Sequence, residues 1–252
     1  MTINKQIPKS DNNVVKIKDL CKSFGNNQVL NHFNLDLKRG ESMVVLGKSG
    51  SGKSVLIKCI IGLLKPDSGS IHVFGENIPD LNHKDLDRIR SKIGFLFQSN
   101  ALYDSMTVRE NLEFPLRRHS LGLSKLENDK VVLTALEDVG LAHTIDMMPA
   151  ELSGGMRKRI ALARTLILKP EIILYDEPTT GLDNITAKEI IQLMLIIQQK
   201  YNTSSLIITH DMNCVKLASN RVSILIDGKC YITGPYQNLL RSRDPIIKQF
   251  FE

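Results

Sequence analysis

The chain has 252 residues, of which 42% are hydrophobic and 24% charged, and it carries a formal net charge of +6 at pH 7. This length and composition predict one large globular domain, and the longest apolar stretches, such as residues 59–64, are far too short for the ~20 residues of a membrane span. Lysine and arginine are spread along the chain, so the charge indicates a solvated surface rather than a nucleic-acid or anionic-lipid patch.

The N-terminal segment and the cysteines both bear on the cellular compartment. Residues 1–13 are polar with scattered lysines and lack the apolar centre of a secretory signal, which predicts a short disordered arm. The four cysteines are dispersed, without a Cys-x-x-Cys pair or a histidine at metal-ligand spacing. We therefore expect small apolar or strand residues in a reducing, cytoplasmic compartment.

The first predicted elements are strands. Apolar runs at Val14–Ile17 and Gln28–Leu37 are separated by Gly25-Asn26-Asn27, which indicates a hairpin. Met43–Leu46 is a continuous apolar run of the length of a buried strand, and Val55–Leu64 has the pattern of a helix. The loop between them lies in the strand–loop–helix context of a phosphate-binding loop.

That loop is rich in glycine and serine. Its glycines allow successive backbone N–H groups to point at phosphate oxygens, while the following helix presents its positive end. Lys53 is placed to reach the β- and γ-phosphates of a nucleotide, and Ser54 to ligate Mg²⁺. A glycine-rich turn that matches by chance is disfavoured by the flanking strand and helix. The predicted ATP ligands are Gly47, Lys48, Ser49, Gly50, Ser51, Gly52, Lys53, Ser54 and Val55.

The middle of the chain changes from strands to helices. After a turn at Pro66–Gly69, strands are predicted at Ser70–Phe74 and Ile93–Phe97. The following stretch predicts a helical insert, because Thr107-Val108-Arg109-Glu110 is a capping box and Lys130–Val139 is amphipathic.

An α/β pattern then returns, with one set of motifs and no internal repeat. The predicted elements are a helix at Gly155–Leu168, a strand at Ile172–Tyr175, a helix at Ile185–Lys200, a strand at Leu206–Thr209, and a hairpin of Val222–Ile226 with Cys230–Thr233. The strand at Ile172–Tyr175 delivers two carboxylates to its C-terminal end, where ligands bind in open α/β sheets. Asp176 would hold Mg²⁺ and Glu177 would polarise the attacking water; two solvated acids that cap a strand are the alternative.

Five segments together carry a family resemblance. They are the phosphate loop, Leu152-Ser153-Gly154-Gly155-Met156, Asp176-Glu177-Pro178-Thr179, Gly181-Leu182-Asp183 and Ile208-Thr209-His210-Asp211. In order and spacing the chain resembles the nucleotide-binding subunit of ATP-binding-cassette (ABC) transporters over essentially its whole length. The resemblance implies an α/β fold with a P-loop NTPase (RecA-like) core, an antiparallel β-subdomain and a helical insert. It implies one domain, 1–252, with a core at about 14–98 and 154–234, a helical subdomain at about 99–153 and a tail at about 235–252.

The same resemblance implies residue roles. Phe24 would stack on adenine, although the family more often has tyrosine there. Gln98 would contact Mg²⁺ and the water and sense the membrane partner, and His210 would hydrogen-bond the γ-phosphate. Glu177, Gln98 and His210 form the expected catalytic set. The expected Mg²⁺ ligands are Ser54, Gln98 and Asp176. Without their neighbours, Gln98 would be read as an ordinary exposed glutamine and His210 as a structural histidine.

The Leu152–Met156 segment opens a predicted helix, so its serine hydroxyl and glycine amides form a second anion site. The family implies a head-to-tail dimer in which Ser153, Gly154 and Gly155 of one subunit bind the ATP held by the other, with Asp183 at the seam. An N-capped helix with a glycine-rich entry is the alternative.

A finer resemblance is to the Mla-type (Mkl-type) ATPases that power lipid movement between bacterial membranes. It is carried by residues 96–102 with 113–116, by residues 152–159, where Met156 replaces the common glutamine, and by the tail 244–251. It implies a permease, an MCE-domain lipid-binding protein and a position on the cytoplasmic face of the membrane, with no nucleic-acid partner. A cassette for amino-acid import or drug export and a soluble cassette acting on DNA or the ribosome are the rivals.

The tail is predicted to form a short helix. Ile246, Ile247, Phe250 and Phe251 are expected on one face, which docks either on the neighbouring ATPase subunit or on its own domain. We favour the hypothesis that the tail reinforces the dimer.

Overall fold

The computed structural model describes residues 12–119 and 122–251. Most of the predicted N-terminal arm, residues 1–11, lies outside this part of the chain. Asn13, the last residue of the predicted arm, instead begins a strand that runs to Phe24. The arm prediction is therefore wrong at its C-terminal boundary, because the alternating pattern of the strand begins with a polar residue that pairs with Lys38.

The strands are β1 (Asn13–Phe24), β2 (Asn27–Lys38), β3 (Ser42–Leu46), β4 (Ser68–Val73), β5 (Glu76–Asn77), β6 (Ile93–Leu96), β7 (Ile172–Asp176), β8 (Ser204–Thr209), β9 (Arg221–Ile226) and β10 (Lys229–Gly234). An antiparallel sheet has the order β2-β1-β4-β5, and a second sheet has the order β10-β9-β3-β8-β7-β6. The second sheet is parallel except for its antiparallel edge strand β10.

The helices are α1 (Lys53–Ile60), α2 (His83–Arg90), α3 (Val108–Arg118), α4 (Lys125–Asp138), α5 (Gly154–Leu166), α6 (Asn184–Tyr201), α7 (Met212–Ala218), α8 (Tyr236–Leu240) and α9 (Pro245–Phe251). Within the described residues, none of these helices has the length and apolar character that crossing a membrane requires.

The larger sheet separates two hydrophobic cores, because successive side chains of a strand point to opposite faces. Met43 and Val45 of β3 face the core that contains α1 and the antiparallel sheet. Val44 and Leu46 face the other core, which contains helices α3 to α7. The phosphate loop thus leaves a strand that is buried on both sides, and its starting point is fixed by packing on both faces.

Most predicted elements are present, with shifted ends. The predicted helix Val55–Leu64 begins earlier, at Lys53, and ends at Ile60, since Gly62 adopts a left-handed φ of +68°. Helix α2 was not predicted, because it is only eight residues long and contains two apolar residues, Leu86 and Ile89, which is too short a stretch to establish a repeating pattern. The predicted capping box is confirmed: the Glu110 N–H donates to Thr107 Oγ1 (3.2 Å), and the Thr107 N–H donates to Glu110 Oε2 (2.8 Å).

The tail helix α9 packs on its own domain. Ile247 is 2% exposed and belongs to the core around α3 to α7, and the rings of Phe251 and Tyr236 are 5.7 Å apart. Phe250 also packs against this core. Ile246 is 42% exposed and does not share the face by which Ile247, Phe250 and Phe251 contact the domain, so the prediction of one common face is wrong for this residue. The side chains of Ile246 and Ile247 are rotated from each other by about 100° around the helix axis, and that of Ile247 points inward.

Candidate functional site

Three neighbouring strands end at one edge of the larger sheet. Leu46, at the end of β3, pairs with Thr209 at the end of β8, and Asp176 at the end of β7 pairs with Ile208. The glycine-rich loop, the acidic pair and His210 therefore leave the sheet side by side. This edge is the carboxyl end of parallel strands, where open α/β sheets bind ligands.

The backbone of the glycine-rich loop requires glycine at its tightest point. Gly50 and Gly52 have φ of +79° and +103°, a region that residues with side chains rarely adopt. A Cβ at Gly52 would lie 2.8 Å from the Val29 carbonyl oxygen of β2. The loop consequently passes against the antiparallel sheet before it enters α1.

Lys53 places its ammonium group inside the loop. Its side chain is only 6% exposed, and Nζ donates to the carbonyl oxygens of Gly47 (2.7 Å) and Lys48 (3.0 Å). The same Nζ lies 3.5 Å from Glu177 Oε1. A buried positive charge thus sits between the loop and the acidic pair, where an anionic group would meet it.

Asp176 and Ser54 lie next to each other across the site. Ser54 Oγ donates to Asp176 Oδ1 at 3.3 Å. Asp176 is only 8% exposed, and burial raises the pKa of its carboxyl group, while the bond from Ser54 acts in the opposite direction. A cation near this carboxylate would relieve the cost of its burial, and both side chains offer the hard oxygen atoms that Mg²⁺ prefers.

Glu177 is held in one orientation by several donors. Its backbone has a left-handed φ of +47°, and its N–H donates to the Ile208 carbonyl at 2.9 Å. Oε2 accepts from Thr209 Oγ1 at 3.1 Å, and Oε1 lies 3.0 Å from Nδ1 of His210. A non-glycine residue persists at such a φ only where surrounding contacts determine it, and these contacts supply that constraint.

One pocket of about 400 Å³ collects most of the predicted site residues. Phe24 lines it at the end of β1 with 49% of its surface exposed. Gly47, Lys48 and Ser51 belong to the same loop but do not line the pocket. The lining residues are Phe24, Val29, Ser49, Gly50, Gly52, Lys53, Ser54, Val55, Gln98, Glu177 and His210.

The serine–glycine segment of α5 lies outside this pocket. Ser153 caps the helix by accepting from the Met156 N–H at 3.2 Å, and Ser153 and Gly154 are exposed. A Cβ at Gly155 would lie 2.8 Å from Thr186 Cγ2, so the start of α5 adjoins the start of α6. Asp183 is the exposed N-cap of α6 and accepts from the Thr186 N–H at 3.0 Å.

Sequence reasoning missed three features of the site. Val29 lines the pocket, although nothing in its strand pattern distinguishes it. Thr209 belongs to the Ile208–Asp211 motif, but no role was predicted for it. Its position directly before His210 could have indicated that it lies at the site. Lys158 is 2% exposed and donates to the Gln98 carbonyl, a contact that sequence spacing does not reveal.

The comparison with known families identifies the class of this site. A family profile described as ABC transporter matches residues 30–180. The chain belongs to the ABC transporter family. It is an ABC ATPase, the ATP-binding subunit of a transporter.

Relatives of this ABC ATPase differ in the cargo that their names give. A probable ribonucleotide transport ATP-binding protein mkl of Mycobacterium leprae is 40% identical over 94% of this chain and 68% of that protein. The MlaF ATP-binding protein of an intermembrane phospholipid transport system in Haemophilus influenzae is 36% identical over 95% of this chain and 90% of that protein. The methionine import ATP-binding protein MetN of Brucella abortus is 38% identical over 93% and 63%, respectively. The chain spans about two thirds of the length of the mycobacterial relatives.

Solved structures confirm the predicted fold class. A dimeric post-hydrolysis state of the ATP-binding cassette MJ0796, bound to ADP and Pi, has a TM-score of 0.80 at 35% identity and covers 88% of this chain and 98% of that one. The cbiO1 cassette of Clostridium perfringens has a TM-score of 0.84 at 31% identity and covers 94% of each chain. The predicted resemblance to ABC ATPases of the Mla/Mkl type is confirmed as well.

Proposed function

We propose that this ABC ATPase binds ATP in the 400 Å³ pocket and hydrolyses it there. The volume lies within the usual range of small-molecule pockets. The exposed ring of Phe24 would stack on adenine, while the amides of the loop from Gly47 to Val55 and the ammonium of Lys53 would bind the phosphates. The observation that carries this proposal is the enclosure of Lys53 between the loop carbonyls and Glu177.

The donor set also fits Mg²⁺. Ser54 and Asp176 already share a hydrogen bond, and Gln98 lines the same pocket. In the described part of the chain there is no group of three or more His, Cys, Asp or Glu residues that could hold a metal ion. Mg²⁺ is usually bound by one or two protein side chains together with substrate phosphates. When bound, Mg²⁺ neutralises charge on the β- and γ-phosphate oxygens.

Glu177 is the proposed general base. Its carboxylate would accept a proton from water as the water oxygen forms a bond to the γ-phosphorus and the bond from that phosphorus to the bridging oxygen of ADP breaks. Lys53 would stabilise the charge on the phosphate oxygens. An ionised carboxylate can only accept, so His210 uses its Nδ1–H toward Glu177; only the imidazolium form would also donate from Nε2 to a phosphate.

The proposed working unit is a head-to-tail dimer. Ser153, Gly154 and Gly155 lie outside the pocket at an exposed helix N-terminus, which is suited to an anion held by another subunit. Asp183 lies beside them, at the start of α6, and would stand at the seam. The relative MJ0796 is described as dimeric, which supports the proposal.

We further propose that the permease binds between the core (about 14–98 and 154–234) and the helical subdomain (about 99–153). A groove of about 490 Å³ lies there, lined among others by Phe95, Phe97, Tyr103 and Phe114. Aromatic side chains of this kind suit an apolar helix of a membrane subunit. The ATPase would then be peripheral on the cytoplasmic face of the membrane.

The proposed cargo is phospholipid, with an MCE-domain protein as a further partner. Support comes from the MlaF relative, of which this chain covers 90%. A second candidate is amino-acid import, which the methionine import relative favours. Purification of the whole transporter from membranes distinguishes them: bound phospholipid and an MCE-domain subunit support the first, whereas methionine-stimulated hydrolysis without bound lipid supports the second.

The hydrolytic proposal is tested by Glu177→Gln. This variant retains the shape of the side chain and is expected to bind ATP, to lose turnover by at least about 10²-fold and to accumulate as a closed dimer. Glu171→Gln, the same change beside the opposite end of β7, is the matched control and should retain turnover, whereas Lys53→Ala should weaken ATP binding itself. Wild-type turnover by Glu177→Gln would refute the mechanism.

A further inference from the structure

Helix α5 directs two cations at the segment that contains Gln98. Lys158 Nζ donates to the Gln98 carbonyl at 2.9 Å. Six residues further along the helix, Arg164 donates from Nη1 to the Ala101 carbonyl (2.7 Å) and from Nη2 to the Asn100 carbonyl (3.0 Å). Three backbone carbonyls of residues 98–101 are therefore held by one helix.

The backbone of this segment needs such support. Asn100 and Ala101 have consecutive left-handed φ values of +65° and +51°, and neither is a glycine. The segment lies between β6 and α3 and has no regular hydrogen-bond ladder of its own. Each left-handed residue of this kind is unfavourable in isolation, so its conformation depends on contacts from outside.

If Lys158 served only to stabilise the fold, a buried ammonium group would be an unfavourable way to hold the Gln98 segment. The side chain is 2% exposed, so its ammonium group is removed from water. Its hydrogen-bond acceptor is a neutral carbonyl rather than a carboxylate. A buried charge without a close ionic partner generally destabilises a fold relative to an apolar residue of similar size.

We propose that Lys158 is a positioning residue for ATP hydrolysis, which holds the Gln98 segment against α5 so that the Gln98 side chain stays at the pocket. Because α5 begins at Ser153 and Gly154, the same contact joins the proposed trans nucleotide site to the cis pocket through one rigid helix. This inference rests on the proposed role of Gln98.

Two variants of Lys158 separate its hydrogen bond from its charge. Lys158→Met retains an unbranched side chain only one atom shorter but leaves the Gln98 carbonyl without its donor. Lys158→Gln removes the charge near Asp176 but retains an N–H donor. Arg159→Met is the matched control: Arg159 belongs to the same helix and binds Glu189 (2.7 Å) and the Val139 carbonyl (3.4 Å), away from Gln98.

The measurement is steady-state ATP hydrolysis by the full chain, with ATP binding and thermal unfolding recorded for each variant. We expect Lys158→Met to lower kcat by at least tenfold with KM changed less than threefold, and Lys158→Gln to recover more than half of the wild-type kcat. Arg159→Met should retain kcat even if it unfolds at a lower temperature. Equal loss of kcat in both Lys158 variants, or wild-type kcat in Lys158→Met, would overturn the inference.

Gln98→Ala distinguishes this inference from the proposed function on which it rests. If Lys158 acts through Gln98, Lys158→Met should cause less than twofold further loss in the Gln98→Ala background. A fully additive loss would overturn the positioning role while leaving the Gln98 proposal intact. Wild-type kcat in Gln98→Ala would instead refute the role of Gln98, and with it this inference.

Discussion

Two adjacent isoleucines of α9 allow a sharp test of how the tail packs. Ile247 is 2% exposed within the core around α3 to α7, while Ile246 is 42% exposed. Ile247→Ala removes the three outer carbon atoms of a buried side chain, which costs about 2.4 kcal/mol at ~0.8 kcal/mol per carbon before any cavity is counted. With a cavity that closes only partly, we expect a loss of about 2–4 kcal/mol in the free energy of unfolding. Ile246→Ala removes the same atoms from a half-exposed site and should cost about 1 kcal/mol or less.

The assay is urea denaturation of the full chain, followed by circular dichroism, with both variants compared at one protein concentration. The paired design cancels helix propensity, because both variants replace isoleucine by alanine in the same short helix. Equal losses in the two variants would refute the packing described for α9. If Ile246→Ala impairs dimer formation but leaves the stability of the monomer unchanged, this result would support the hypothesis that the tail reinforces the dimer.

Three further predictions follow from buried contacts. Burial raises the pKa of the Cys59 thiol to about 11 and that of Cys214 still further. Of the four cysteines, only Cys21 and Cys230 should therefore react with a thiol reagent at pH 8 in the folded protein, and all four should react after unfolding. Thr209→Val removes a donor to the Glu177 carboxylate and should cost about 1.5–3 kcal/mol in urea denaturation, together with a lower kcat; unchanged stability would contradict the hydrogen bond. Gly52→Ala should weaken ATP binding measured by calorimetry, because the added Cβ meets a backbone oxygen at a φ of +103°; wild-type affinity would show that the loop tolerates this change.

Local spacing in the sequence was sufficient for much of the fold. The phosphate loop, the acidic pair at the end of β7 and the capping box at Thr107 are patterns of a few neighbouring residues, and such patterns specify their own backbone geometry. Long apolar runs such as Met43–Leu46 predicted buried strands because both faces of the larger sheet are covered. Helix α2 was missed because its eight residues include only two apolar ones, which is too short a stretch for a helical repeat to be recognised.

The sequence by itself thus determined the family, the order of most elements and most residues of the proposed site. The tertiary structure decided which side chains meet: Thr209 reaches Glu177 across 32 residues, and Lys158 reaches Gln98 across 60. It also decided that Ile247 rather than Ile246 is buried. These contacts depend on strand register and on the rotation of helices about their axes, which are set by packing between distant segments and not by the spacing of neighbours in the chain.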